Sequence, residues 1–145
     1  MNTIKKIHLG AIASIRMAGT AMANRGAKNK IGIQVSSADA KTQTIALNNA
    51  VNVQKHFGPG EVDVEIVAYG PGLSILTMGK KNKNAKRVAS LAMSDITFSA
   101  CGNTMKKITQ KKGKAPKLVD GVKVVPAGVI RIMELQSKGY DYIRP

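Results

Sequence analysis

Apolar and polar positions along this chain switch between a period of two and a helical period, and the switches mark the elements. "KIGIQV" (30–35) is rich in β-branched residues and predicts a strand. "SSADAK" follows, with Ser36, Ser37 and Asp39 available as helix caps. Thr42, Ile45, Ala46, Asn49, Ala50, Val53 and Phe57 then recur at helical spacing until "GPG" (58–60) breaks the pattern. In "VDVEIVAYG" (62–70), Val62, Val64 and Ile66 alternate with Asp63 and Glu65 and predict a second strand. "GPG" at 70–72 opens a turn, "LSILTM" has the length of a short helix, and "GKKNKN" (79–84) is a basic loop. "AKRVASLAM" (85–93) predicts a helix with Val88, Leu91 and Ala92 inward. "ITFSA" (96–100) is a third strand that ends at Cys101. "NTMKKITQ" begins a helix, and "KKGKAPK" ends it. "VKVVPA" (122–127) predicts a fourth strand. "GVIRIMELQSKG" predicts a helix with Val129, Ile132, Met133 and Gln136 on one face, and "YDYI" (140–143) a last short strand.

Strands alternating with helices predict a three-layer α/β/α domain around a mostly parallel five-stranded sheet. Right-handed crossovers then bring every strand-to-helix turn to one edge. Those turns are "SSAD", "YGPG", "ACGNT" and "PAG". They are small, polar or glycine-rich, and ligand sites of such sheets lie at this edge.

Composition narrows the picture. The chain has 145 residues, 43% of them hydrophobic, enough for one domain with its own core. Aromatic residues make up 3%, so Val, Ile, Leu, Ala and Met must build that core. The formal net charge of +15 favours anionic partners by long-range attraction. One cysteine excludes an intrachain disulfide, and with His8 and His56 as the only histidines no metal site is predicted. Residues 1–23 read as basic "MNTIKK", an apolar stretch and a small-x-small Ala21-Met22-Ala23, the layout of a secretory signal. His8 and Arg16 interrupt that stretch, so an N-terminal arm of a cytoplasmic protein is the alternative to export into the periplasm. The domain proper takes up residues 24–145. No stretch has the roughly 18 uninterrupted apolar residues of a membrane span.

Candidate chemistry centres on Cys101. A thiol ahead of a helix N-terminus feels the positive end of the helix dipole, and Lys106 and Lys107 one turn on add to it. Both effects favour thiolate, the reactive form. Gly102 allows close backbone approach, Asn103 or Thr104 is placed to cap the helix, and the first-turn amides can cradle a thiolate or persulfide. Gly70, Pro71 and Gly72 are candidates for a wall of the same pocket, or for a turn with a backbone role only. The other reading of Cys101 is a small buried hydrophobe after Phe98 and Ala100. His56 near a helix end reads as a dipole partner, and Glu134 has no second carboxylate nearby in sequence.

From residue 30 onward the chain resembles the DsrE/DsrF-like family. The resemblance rests on "ALNNAVNV" (46–53), "VDVEIVAYGPGLSIL" (62–76), "FSACGNTM" (98–105) and "VPAGVIRIMELQSKGYDYIRP" (125–145), in that order. It implies an α/β/α domain that assembles into trimers or hexamers, and a role in sulfur trafficking. In the family's sulfur-relay members a cysteine at the position of Cys101 accepts sulfane sulfur and passes it on. That implies donor and acceptor proteins as partners and requires no cofactor. Many close members carry a secretory signal. The alternative is a non-enzymatic oligomer whose basic surface contacts an anionic partner. Lysine clusters at 80–87 and 106–117 favour such a surface. The lack of an RNP-type aromatic pattern argues against nucleic acid, and leaves a solvated, lysine-rich surface or a contact with an acidic partner. In the last helix, Ile130 or Leu135 is left over from the single apolar stripe that a monomer needs, and predicts a subunit contact.

Overall fold

The structure, a computed structural model, describes residues 29–145. The leader reading of residues 1–23 lies outside them. Five strands form one sheet: β1 (Asn29–Val35), β2 (Val62–Ala68), β3 (Ile96–Cys101), β4 (Lys123–Val125) and β5 (Asp141–Ile143). Every pairing is parallel and the order is β4-β3-β2-β1-β5. Between them lie helices α1 (Ala40–Phe57), α2 (Ala85–Ala92), α3 (Gly102–Lys112) and α4 (Gly128–Ser137).

The order explains the layering. From β1 to β4 each crossover steps one strand in the same direction, so right-handed connections place α1, α2 and α3 on one face. The next connection must return across the whole sheet, from β4 to β5 beside β1. It carries α4 over the opposite face, where it packs on β1, β2 and β3.

Register builds the main core in rows. Ile31, Val64 and Ile96 are neighbours, then Ile33, Ile66 and Phe98, then Val35, Ala68 and Ala100. All nine are buried, with Leu47 and Ala50 of α1 and Val88 of α2 against them. The α4 face is smaller, with Val67, Ile132 and Leu135 flanked by Tyr69 and Tyr140.

The ends of α1 follow its sequence. Asp39 is the N-cap, accepting from the Thr42 amide at 2.8 Å, and Gly58 closes the helix at φ 93°. Two expectations need correction. β2 stops at Ala68, and the predicted turn and short helix merge into one 3-10 helix, Gly70–Leu76. In α4 the buried positions are Gly128, Ile132 and Leu135, while Val129, Ile130 and Met133 are exposed. The helix is rotated by one position because Arg131 must face the sheet, where it pairs with Glu65.

Candidate functional site

The carboxyl ends of β1 to β4 meet at one edge, and Cys101 lies in its middle. It ends β3, and α3 begins at Gly102 with no intervening loop. Cys101 is itself the N-cap residue, so neither Asn103 nor Thr104 caps the helix as expected. The Asn103 amide instead donates to the Pro126 carbonyl at 3.2 Å, tying α3 to the end of β4. Strand alternation turns Cys101 to the α4 side, beside Val125. It is 5% exposed.

Two helix N-termini converge on the thiol. Burial pushes its pKa up. The hydroxyl and amide of Thr104 and the amides of Gly128 and Asn103 more than offset that and hold it below the ordinary thiol value. These donors come from the first turns of α3 and α4, where amides lack intrahelical acceptors.

The Thr104 oxygen accepts from the Gly70 amide at 2.9 Å. Gly70 holds a left-handed conformation at φ 54°, the first residue of the 3-10 helix. Gly70, Pro71 and Thr104 also border a groove beside α3. Gly72 does not: it is buried against β1, where a Cβ would meet the Val35 carbonyl oxygen at 2.1 Å. Gly102 faces the ends of β4, its Cβ position 3.0 Å from the Val125 oxygen. The edge therefore gathers Cys101, Thr104, Gly70 and the Asn103 amide. Pro71 stands on the groove side, and Gly72 and Gly102 serve close packing.

Sequence reasoning missed two parts. Gly128 supplies an amide to the thiol and has no room for a side chain, since a Cβ would stand 2.7 Å from Tyr69 Cδ1. The alternation in β2 predicts Glu65 on the polar side of the strand, yet it is 3% exposed. It accepts from Ser99 Oγ at 2.6 Å and from both Nε and Nη2 of Arg131 at 2.8 Å, with Lys123 Nζ at 3.6 Å. Burial pushes Glu65 up, and the Arg131 and Ser99 hydrogen bonds bring it below the usual carboxylate value. The pair clamps α4 to the sheet and so sets where Gly128 stands over Cys101. A lone arginine inside "VIRIM" was the available signal.

The family profile described as DsrE/DsrF-like matches residues 29–145. The chain belongs to the DsrE/DsrF-like family. That family is associated with sulfur relay. Two solved structures share the fold. A Methanobacterium thermoautotrophicum protein of unknown function, MTH1491, is 26% identical and superposes with a TM-score of 0.71, over 81% of this chain and 99% of its own. YchN of E. coli gives 0.61 at 15% identity over the same shares, a likeness of fold alone. No curated protein matches the chain. Among the described residues no cluster of three or more His, Cys, Asp or Glu could hold a metal. No described helix is long and apolar enough to cross a membrane.

Proposed function

We propose that this DsrE/DsrF-like protein is a single-cysteine persulfide carrier. The observation that carries the reading is the place of the one thiol: Cys101 is the N-cap of α3 and stands in register with Val125, just ahead of α4, and its pKa is held below the ordinary thiol value. That place favours a thiolate and equally an anionic persulfide.

The reaction is an exchange without net oxidation. Cys101-S⁻ attacks the outer sulfur of a donor persulfide R-S-SH, the donor's S–S bond breaks, and R-S⁻ leaves. Cys101-S-SH forms. An acceptor thiolate then attacks that outer sulfur, and Cys101-S⁻ departs as the amides and Thr104 take up its charge. The chain has one cysteine, so the second step must use another molecule.

Transfer is the direct test of turnover. Protein loaded with polysulfide and desalted is mixed with a small thiol. Loss of sulfur from the protein, matched by persulfide on the thiol, supports a carrier. Sulfur that stays on the protein contradicts it.

The same reading includes a homo-oligomer. Ile130 and Met133 of α4 are 50% and 61% exposed, with Val129 beside them. A lone helix on a sheet face that shows these residues to water has apolar surface to cover. A second copy of this chain is the proposed cover.

A further inference from the structure

A groove of about 930 Å³ runs along α3, between that helix, the 3-10 helix and the 114–117 segment. Its apolar lining includes Leu73, Ile108, Pro116 and the half-exposed Met78. Its rim carries Lys107, Lys111, Lys112, Lys114 and Lys117, with no acidic residue along it. None of these lysines is in an ion pair among the described residues, where the acidic partners are Glu65 and Glu134. Gly70 and Thr104, joined by a hydrogen bond of 2.9 Å, are among the residues that line it.

The far wall is fixed in place. Thr77 and Leu118 form an antiparallel bridge, the Met78 amide donates to the Lys117 carbonyl at 2.7 Å, and the Val119 amide to Leu76 at 2.9 Å. The groove is therefore preformed, which limits the ordering cost of filling it.

We infer that this groove docks an acidic, partly apolar segment of a partner protein in extended conformation. Three features select that occupant. The cations are spread along α3 and the loop after it, so they match several negative charges in a row. The helix, 11 residues long, spans about 16 Å at ~1.5 Å per residue, the reach of about five residues of extended chain. An extended peptide alternates its side chains, so apolar ones meet the apolar lining while carboxylates meet the rim. A nucleic-acid strand gains much of its affinity from aromatic stacking, and no aromatic residue lines the groove. That the occupant is the protein trading sulfur with Cys101 rests on the persulfide reading; the docking itself does not.

The test uses a fluorescent, cysteine-free peptide alternating Glu and Leu, followed by anisotropy on the full chain. The same peptide with Lys for Glu, and an oligothymidylate, are the comparisons. One variant reverses Lys111→Glu, Lys114→Glu and Lys117→Glu, all exposed and on the groove. A second reverses Lys80→Glu, Lys81→Glu and Lys83→Glu, which do not line it. The acidic peptide is expected to bind, to weaken as salt rises, and to lose about tenfold or more with the groove variant only. Absent binding, equal loss with both variants, or tighter groove-dependent binding of oligothymidylate would overturn the proposal. Polysulfide loading of Cys101, read by mass on the same samples, separates the two ideas. Peptide binding with an unloaded thiol leaves the docking site and removes the carrier.

Discussion

At the residue scale the account turns on one hydroxyl. Thr104 accepts from the Gly70 amide and helps to hold the Cys101 pKa down, so its replacement acts on both sides. Thr104→Val should raise the midpoint of the pH–alkylation profile of Cys101, because a donor to the thiolate is lost. It should also cost about 1–3 kcal/mol, since the Gly70 amide is left without its acceptor. Thr104→Ser keeps the hydroxyl and should restore the midpoint. A midpoint unchanged in Thr104→Val would show that the hydroxyl does not reach the sulfur. For the wild-type thiol the sign is fixed: a depressed folded-state pKa gives a midpoint below that of the same chain in denaturant. Cys101 at the strand edge was legible from sequence because it stood between a β-branched run and a polar helix start. The pairing of Thr104 with Gly70 was not, since it joins positions 34 apart through the sheet order.

At the element scale the question is how α4 is held. Its first residue lends an amide to the thiol, and its fourth, Arg131, pairs with Glu65. Gly128→Ala should push the helix start away from Tyr69, costing about 1–3 kcal/mol and raising the Cys101 midpoint. Glu65→Gln should cost ~3 kcal/mol or more in denaturant melts, because it removes the buried counter-charge of a mostly buried guanidinium and leaves it only the exposed Glu134. Glu65 also sets a pH dependence. Its folded pKa lies below the unfolded value of about 4.3, so its contribution is complete above that value and is lost as pH falls through the folded one. Acid melts of Glu65→Gln should lack this component; a wild-type-like acid slope would contradict the role. Strand and helix order was readable because the core rows of β1, β2 and β3 are plain alternations of β-branched and apolar residues. The buried face of α4 differs from the predicted one by one position because an ion pair, invisible to a hydrophobic pattern, decides its rotation.

At the scale of the whole molecule, α4 covers its sheet face alone while presenting Val129, Ile130 and Met133 outward. Sedimentation at micromolar concentration should show an assembly larger than a monomer. Ile130→Glu with Met133→Glu should disperse it while leaving the fold intact by circular dichroism. A wild-type monomer would leave these residues without the proposed cover. The net charge of +15 sets a second property: association with anionic partners should weaken steeply with salt. Where that charge concentrates was only half legible. The lysine run at 106–117 was evident, but the apolar lining beside it draws on residues 73–78, brought alongside by the fold.

The measurement that bears most directly on the central claim is the intact mass of purified protein after polysulfide treatment, beside Cys101→Ser. The account predicts a gain of one sulfur atom in the wild type, removed by a reductant and absent from the variant. A wild type that gains none, with a native thiol that also resists alkylation until denatured, would contradict it and make Cys101 a packed core residue.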